Sequence, residues 1–437
     1  MFRKVCKAVN YLTFGAAVSA RIKDTRLVEP FDVFDPAFRA DPYPVYARYR
    51  AGDAVHRGRA PTPDGPPGWW YLFRHADVAA VLKDSRFGRA IAPALDEPPP
   101  PVPPAEREPF WDMYAHWTLA LEPPEHTRQR ALLSEGFTAR VVAGLRPAIA
   151  AQAAALLDAL TPRGRFDVVA DYAFPLTLSV IAALIGIPQS DLARVKAWSL
   201  IIADVLDYKR TWDVMAAGNR MTAEFTAYLA DIVAARRARP ENDLISRLLA
   251  AVAGEARLAE DELIALCVML LFAGHETTVN LISAGALLLL TQPEQLALFR
   301  ARPELTDTAV DEILRLHSPI QATTRIAYAD VTLGDRLIRR GESVTLLLGA
   351  ANRDPAAFPD PNRLDIARRP NRHLAFGRGI HFCLGAPLAM AQGGLALRLL
   401  FERSTDWRLA CNPIWSETFG FRGLTSLSIG KFSSRCA

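Results

Sequence analysis

The sequence has few cysteines, almost no net charge and no repeated or linker-like segments. Five cysteines occur in 437 residues, and none belongs to a C-x-x-C pair. This pattern predicts neither a disulfide framework nor a zinc ribbon, and it favours a reducing compartment, the cytoplasm. Lysine and arginine total 51 against 47 for aspartate and glutamate. An excess of that size does not indicate a nucleic-acid-binding protein.

The absence of a clear boundary predicts one large domain, from about residue 26 to residue 437. No tandem repeat, Gly/Ser linker or long charge block divides the chain. Residues 1–25 form a loose or amphipathic lead-in, which resembles a secretory signal except that polar residues interrupt its apolar stretch. The lead-in is too short to span a bilayer and no other segment resembles an anchor, so we expect no stable membrane anchor.

Hydrophobic periodicity predicts a mainly α-helical chain with a minor β region. From about residue 126 to residue 315, apolar residues recur at intervals of three and four, which is typical of helices. Strand-like patterns are confined to a short strand within residues 68–90 and to residues 330–349 and 422–430. The proline-rich segment 96–109 cannot be helical.

The longest helical pattern covers about residues 260–290 and carries polar residues at its centre. Two apolar halves are joined by H-E-T-T, which places Glu276 and Thr277 in the middle of a helix predicted to be buried. An ionised carboxylate there must be paired, protonated or open to an internal water-lined cavity. Gly274 costs about 1 kcal/mol relative to alanine, which suits a close approach to the backbone. A helix kink or a polar break facing solvent would give the same pattern.

The stretch HLAFGRGIHFCLGAPLAM, residues 373–390, places Cys383 between a glycine-rich loop and a predicted helix. Gly377 and Gly385 flank the cysteine, and free N–H groups at a helix start favour a thiolate, which iron accepts as a ligand. Three interpretations stay open at this point: a buried structural cysteine, a nucleophile with His381 as its base, and a thiolate ligand to iron. The nucleophile is the weakest, because such pairs are generally assembled from separate parts of a fold.

A third feature is the pair Glu312 and Arg315, three residues apart on a short predicted helix. Such a pair is usually solvated and contributes only about 0.3 kcal/mol. Taken alone, it carries no functional prediction.

These motifs, in this order, resemble those of the cytochrome P-450 family. Residues 376–385, FGRGIHFCLG, match the family's haem-binding loop at every fixed position. Residues 273–278, AGHETT, are similar to its oxygen-activating helix motif, and residues 312–315, EILR, to its E-x-x-R. Similarity in the style of the soluble bacterial members extends from about residue 34 to residue 430.

The resemblance implies a fold and a buried ion network. The fold is the family's triangular prism, mainly α with a small β-rich region, with the haem between the long central helix and the cysteine-loop helix. Residues 358–365, FPDPNRLD, resemble the family's meander. Its arginine, Arg363, would join Glu312 and Arg315 in the buried network.

The resemblance also implies haem b, bound through the Cys383 thiolate as the ligand to iron. Other residues implied to contact the cofactor are His126, Arg130, Ala273, Gly274, Arg325, His373, Phe376, Gly377 and Gly385. The histidines and arginines of this set would contact the haem propionates. Two carboxylates buried beside a porphyrin need cationic or hydrogen-bonding partners, and these side chains are suitable.

The implied activity is that of a haem-thiolate monooxygenase. The Cys383 thiolate would push electron density onto iron and favour O–O cleavage, while two electrons arrive singly and protons pass through Glu276 and Thr277. One oxygen atom of O2 would enter an apolar small molecule, by hydroxylation or epoxidation, and the other would leave as water. The lid of the pocket would be residues 90–117, and its walls would include Phe272, Ala273, Ile320, Ala322, Thr323 and Thr425.

Partners and rival functions follow from the same resemblance. No flavin domain or cysteine cluster for an iron–sulfur centre is visible, so a separate ferredoxin and its reductase are the expected electron donors. Met390 stands where bacterial relatives usually carry arginine, which alters the donor-facing surface and not the haem site. We expect a cytoplasmic monomer of secondary metabolism. The rivals are a peroxide-using peroxygenase, which generally lacks the acid–alcohol pair, and a haem-binding sensor or carrier, which needs neither that pair nor an apolar pocket.

Overall fold

A computed structural model of the chain describes residues 31–62, 65, 67–97, 107–207, 211–251, 258–403 and 405–431. Helices dominate and the strands are short, which confirms the predicted mainly α fold with a minor β region. The predicted lead-in, residues 1–25, lies outside the described residues, as does the central part of the predicted lid, residues 98–106.

The helices of the described residues vary from one turn to more than eight turns. They are α1 Pro36–Ala40, α2 Tyr43–Gly52, α3 His75–Val81, α4 Pro109–Tyr114, α5 Glu125–Ser134, α6 Ala139–Leu160, α7 Phe174–Ile185, α8 Leu192–Leu206, α9 Trp212–Ala238, α10 Leu244–Ala250, α11 Glu260–Thr291, α12 Pro293–Ala301, α13 Thr306–Leu316, α14 Leu348–Ala351 and α15 Ala386–Glu402. A π-helical segment, Val168–Ala173, leads into α7.

The strands are β1 Val55–Arg59, β2 Pro67–Leu72, β3 Phe87–Gly88, β4 Arg165–Asp167, β5 Ala322–Ala327, β6 Val331–Leu333, β7 Arg336–Ile338, β8 Ser343–Leu347, β9 Arg408–Leu409, β10 Ile414–Trp415, β11 Leu424–Ser426 and β12 Ser428–Gly430. Five of them form a sheet in the order β1-β2-β8-β5-β3, in which only β2 and β8 run parallel. At one edge β3 pairs with β5 so that Gly88 opposes Ile326. The residue that follows β3 is thereby held near the middle of β5.

The central helix α11 begins and ends as its sequence predicts. At its start the Glu262 carboxylate accepts the Ala259 amide, 2.9 Å away, and three acidic residues in the first turn suit the positive end of the helix. It ends before Pro293. Its flanks are buried against α7, α13 and α15. A helix enclosed by other helices can be apolar on nearly every face, as this one is.

Three helices are long and apolar enough, by length and composition, to cross a membrane: Ala139–Arg163, Val168–Ile185 and Glu260–Thr291. This corrects the expectation that no segment after the lead-in resembles an anchor. The apolar windows of the second and third helices are mostly buried inside the protein. Their hydrophobicity is therefore accounted for by packing in the core.

A short hairpin and a three-stranded sheet join the C-terminal strands to the rest of the protein. The strands β10 and β11 pair, and the turn between them brings Phe421 into a β-bridge with Ile320. The next strand, β12, pairs with both β4 and β9. The C-terminal turn is thus joined to the segment between α13 and β5.

A buried ion network fixes the chain that leads to the cysteine loop. Glu312 and Arg315 are 0% exposed, and two nitrogens of the arginine donate to the two carboxylate oxygens at 2.7 and 2.8 Å. Arg368 donates to the same oxygens at 3.0 and 3.1 Å, and the Asn371 amide donates at 3.1 Å. The pair is therefore not a solvated surface pair but the centre of a network that reaches residues just before the cysteine loop.

The prediction that Arg363 joins this network is wrong. Its side chain is 66% exposed and lies 3.6 Å from Asp365, and only its carbonyl takes part, as an acceptor for Arg315 and Arg368. Arg363 closes a turn by donating its amide to the Asp360 carbonyl, which leaves its side chain facing outward. Five residues later the chain has come back toward α13, so Arg368 supplies the second guanidinium.

Two matched substitutions separate these arginines. Arg368→Ala removes one of two cations from a fully buried carboxylate, and we expect it to lower the free energy of unfolding by about 3–5 kcal/mol. Arg363→Ala, at an exposed side chain, should change it by less than about 0.5 kcal/mol. Urea unfolding of both variants measures the difference. Equal effects would contradict the assignment of Arg368 to the network.

Candidate active site

The cysteine loop is shaped by two glycines with positive φ. Gly377 has φ 68° and Gly379 has φ 74°, a region that residues with a Cβ seldom adopt. A Cβ on Gly379 would also lie 2.3 Å from the carbonyl oxygen of Leu82. The amide of Cys383 donates to the Phe376 carbonyl at 2.9 Å, which closes the loop before α15 begins.

Cys383 is half-buried beside the start of α15. Burial raises the pKa of its thiol, while hydrogen bonds from the amides of Gly385 and Ala386 and the charge of Arg130 act in the opposite direction. The expected helix N–H groups are present, but desolvation outweighs them. A Cβ on Gly385 would meet no atom within 4 Å, so there is open space two residues after the cysteine.

The middle of α11 lines open space in the same way. Ala273 is exposed although its neighbour Phe272 is buried, and Glu276 is partly accessible although burial raises its pKa. Among the described residues Glu276 has no hydrogen-bonding or ion-pair partner. The Thr277 hydroxyl donates to the Ala273 carbonyl at 3.1 Å. Of the alternatives for this carboxylate, pairing is thus excluded within the described chain, and a cavity-facing, readily protonated group fits.

Gly274 packs closely against a neighbouring helix. A Cβ at this position would lie 2.5 Å from the Ile181 side chain of α7. The close approach expected at this glycine is thus made by a neighbouring helix, and its contact with the cofactor stays a prediction.

Several cationic and aromatic groups gather beside the cysteine loop. Arg130 donates to the Phe382 carbonyl at 2.6 Å, and the rings of His126 and His381 lie 4.5 Å apart. The Nε2 atom of His126 is buried and has no hydrogen-bonding partner within the described structure. Burial lowers the pKa of His126, as the charge of Arg130 also does. An unpartnered polar atom in such a place is expected to bind a ligand.

Arg325 lies in the same cluster, on β5. It donates to the Thr323 hydroxyl at 3.1 Å and to the Thr324 carbonyl at 2.9 Å. Burial and the nearby charge of Arg89 lower its pKa to about 9. Glu122 is the carboxylate of the cluster; burial opposes its ionisation, but His381 and the Arg89 amide lower its pKa.

His373 does not join this cluster in the described structure. Its Nε2 lies 3.2 Å from a carboxylate oxygen of Asp311, and its Nδ1 accepts the Ala375 amide at 3.2 Å. Both of its ring nitrogens are thus engaged within the chain, and its expected contact with the propionates stays a prediction. His381, whose ring lies 4.5 Å from that of His126, is the histidine that the structure places in the cluster. Sequence reasoning considered His381 only as a base for Cys383, although its position two residues before the thiol was the signal that could have found it.

The predicted substrate pocket is brought together only in part. Phe272 packs against Phe421 with ring centroids 5.8 Å apart, and Phe421 in turn bridges Ile320. Thr425 is exposed and donates its hydroxyl to the Ile414 carbonyl, and its place in the pocket stays a prediction. Sequence reasoning missed Phe421, which joins Phe272 and Ile320, and the place of Phe421 in the turn between two strands was the available signal.

The remaining pocket predictions lie on β5. Ala322 is buried in a core cluster with Leu347 and Phe419. Thr323 is partly accessible, and its hydroxyl accepts hydrogen bonds from two arginines, Arg89 and Arg325. Ala322 therefore packs in the core, and Thr323 is a hydrogen-bond acceptor for two arginines of the cationic cluster.

These residues fit a haem. Within the described chain, no group of three His, Cys, Asp or Glu side chains could hold a metal ion, so iron beside Cys383 would need other ligands, which a porphyrin supplies. Buried and half-buried guanidiniums beside the loop suit the two carboxylates that a haem carries. Ala273 offers a small side chain on the facing helix. The set that would hold the group is Cys383, His126, Arg130, Arg325 and His381.

Comparison with known proteins identifies similar chains. The family described as Cytochrome P-450 matches at residues 298–405. A biotin biosynthesis cytochrome P-450 of Bacillus subtilis is 37% identical over 90% of this chain and 96% of its own length. The monooxygenase PikC of Streptomyces venezuelae is 39% identical over 90% of this chain and 91% of its own. A solved cytochrome P-450 in complex with a hexadec-9Z-enoic acid ligated acyl carrier protein matches with TM-score 0.84 and 37% identity, covering 90% and 99% of the two chains.

The buried His275 makes stability depend on pH. Burial lowers its pKa to about 4, whereas an unfolded histidine has a pKa of about 6.5. Its contribution is therefore complete above pH 6.5 and is lost as the pH falls toward 4, by about 3 kcal/mol in all. Urea unfolding at pH 7.5 and pH 4.5 measures this loss. His275→Gln, which keeps a donor for the Leu271 carbonyl, should reduce it, and an unchanged loss would contradict the assignment.

Proposed function

The chain belongs to the cytochrome P-450 family and is a cytochrome P-450 monooxygenase, and we propose that it inserts one oxygen atom from O2 into an apolar small molecule. The observation that carries the proposal is the presence of two partly accessible features that this chemistry needs. One is the Cys383 thiol at the end of its glycine loop, and the other is the acid–alcohol pair Glu276 and Thr277 in the middle of α11. The insertion would be a hydroxylation or an epoxidation.

Haem b is the proposed cofactor, and with a thiolate ligand it supplies O–O bond cleavage and the oxidising power for oxygen insertion. Cys383 would provide the thiolate, held by the amides of Gly385 and Ala386. Arg130 and Arg325 would neutralise the carboxylates of the porphyrin. Arg325 is buried and Arg130 is half-buried, and neither has a carboxylate partner within 4 Å among the described residues, so both are available for that purpose.

Glu276 and Thr277 are the proposed proton-handling residues. Burial raises the pKa of Glu276, so this carboxyl can hold and release a proton closer to neutral pH than an ordinary glutamate. The Thr277 hydroxyl donates to the Ala273 carbonyl, which leaves its lone pairs free to accept a hydrogen bond from a water in the cavity. The two side chains can therefore pass a proton from the protein toward the cavity.

An apolar substrate is supported by the aromatic wall of Phe272 and Phe421 and by Ile320 beside it. The names of the relatives point to biosynthesis, of biotin in one case, and one solved neighbour is bound to an acyl carrier protein. We propose a role in secondary metabolism, in the cytoplasm, with the chain acting as a monomer. A ferredoxin and its reductase are the proposed electron donors.

The peroxygenase alternative is less favoured because of the acid–alcohol pair. An enzyme that receives oxygen already reduced, as peroxide, does not need groups that deliver protons to O2. A sensor would likewise need neither the pair nor the aromatic wall. Glu276 and Thr277 both carry accessible surface toward the cavity, which supports the monooxygenase.

Substitution of the thiol tests the cofactor. The reduced, carbon monoxide-bound wild type should show the red-shifted Soret band of a thiolate-ligated haem, and Cys383→His should abolish it. Cys267 is the other free cysteine of the described residues, buried in α11, so Cys267→Ala is the control and should keep the band. A wild type that is fully loaded with haem but lacks the band would overturn the proposal.

Substitution of the alcohol tests the chemistry. In Thr277→Ala, haem content and first-electron transfer should be retained, while product formed per NAD(P)H falls at least about tenfold and hydrogen peroxide rises, since loss of proton delivery costs factors of about 10² to 10⁴. Product, peroxide and cofactor consumption are measured together with a reconstituted ferredoxin system.

Thr291→Ala is the matched control for this experiment. Thr291 lies in the same helix and its hydroxyl also donates to the carbonyl four residues earlier, that of Leu287, at 2.8 Å, but it is exposed. Its removal should leave coupling unchanged. Equal coupling in both variants would remove Thr277 from the mechanism, and negligible turnover of the wild type with reductase but not with peroxide would favour the peroxygenase.

A further inference from the structure

The cationic cluster beside the cysteine loop includes Arg130 and Arg325, with His126 and His381 next to them. It also contains Arg89, which belongs to none of the sequence motifs. We propose that the guanidinium of Arg89, the residue that follows β3, binds a carboxylate of the haem together with Arg325. The same guanidinium donates to the Thr323 hydroxyl. The inference rests on the proposed haem site and assigns a further binding residue to it.

Geometry places Arg89 and Arg325 side by side. The Nη2 of Arg89 donates to the Thr323 hydroxyl at 2.8 Å, and Arg325 donates to the same oxygen at 3.1 Å. Burial is the main reason that the pKa of His381, two residues before the thiol, is lowered, and the charges of both arginines lower it further. Two guanidiniums that share one hydroxyl acceptor repel each other unless an anion lies between or beside them.

The cluster holds more guanidiniums than carboxylates. Its guanidiniums are Arg89, Arg130 and Arg325, and none of them has a carboxylate within ion-pair distance in the described part of the chain. Glu122 influences the charge of Arg325 from a greater distance. The carboxylates of a haem would supply the direct anionic partners that these guanidiniums lack.

Hydrogen bonds from both its backbone and its side chain hold Arg89 in place. Its amide donates to Glu122 at 2.5 Å, and its Nη1 donates to the Leu119 carbonyl at 3.0 Å. Before it, Gly88 pairs with Ile326, one residue after Arg325, so the sheet sets the separation of the two arginines. Because Glu122 contacts the backbone and not the guanidinium of Arg89, it positions the arginine without neutralising it by a direct ion pair.

A comparison of two porphyrins isolates the carboxylate contact. Wild type and Arg89→Gln are each loaded with haem and, separately, with haem dimethyl ester, which has no charged carboxylates. Transfer of the porphyrin to excess apomyoglobin is followed in the Soret band. Loss of one charge-assisted hydrogen bond should speed the release of haem about 10- to 100-fold in Arg89→Gln, while the two proteins release the ester at the same rate.

Two further variants complete the test. Arg86→Gln is the control, because Arg86 is on the same segment but is 56% exposed and paired with Asp84 at 2.6 Å; it should release both porphyrins as the wild type does. Arg89→Lys keeps the charge and should restore slow release of haem in part. This variant also answers the question if Arg89→Gln fails to fold.

The outcomes separate this inference from the proposed function. If Arg89→Gln speeds the release of haem and ester alike, the role of Arg89 is structural and the inference is overturned. If it speeds neither, Arg89 has another ligand, such as an anionic substrate, and the inference is again overturned. A wild type that retains neither porphyrin would instead contradict the haem site itself.

Discussion

A carboxylate removed from water needs more than one hydrogen-bond donor. The donors of Glu312 hold in place the part of the chain that leads to the cysteine loop. Arg315 comes from the same helix, but Arg368, Asn371 and the Asp365 amide come from the irregular chain that follows α14. That chain has almost no secondary structure of its own. Its path toward the cysteine loop is therefore set largely by bonds to Glu312 and by those that Arg315 donates to the carbonyls of Asn352 and Pro361. Loss of Glu312 would leave two buried guanidiniums without their carboxylate.

The two ionic clusters of the protein differ in how their arginines are paired. Around Glu312, the guanidiniums of Arg315 and Arg368 both bond directly to a carboxylate of the chain. Beside the cysteine loop, the guanidiniums have no direct carboxylate partner among the described residues. A ligand that supplies such partners binds the native state and not the unfolded one, and so it would raise stability by mass action. Folding and cofactor binding would thus be coupled through the arginines as well as through the thiol.

The sequence was most informative where the physical reason is local. The length of α11, its start at an acidic turn and its end before a proline follow from neighbouring residues, and so does the glycine-rich loop before Cys383. The family resemblance added the order of the motifs and, with it, the fold. Each of these depends on residues a few positions apart, which a single sequence displays directly.

Where sequence reasoning fell short, the question concerned a contact between distant segments. Whether Arg363 or Arg368 faces Glu312 depends on one turn of irregular chain, and the packing of Ile181 against Gly274 depends on how two helices cross. Phe421 reaches Phe272 because of the register of a short hairpin. A shift of one or two residues in such places exchanges the inward and outward side chains.

The bridge between Phe421 and Ile320 also bears on the order in which the protein can be made. One wall of the substrate pocket is contributed by residues close to the C-terminus, and β12 adds pairing with β4, more than 260 residues earlier: Ser428 opposes Asp167. Such contacts cannot form until residues 421–430 have left the ribosome. The helical body that precedes them can therefore assemble during synthesis without this wall, which is added afterwards.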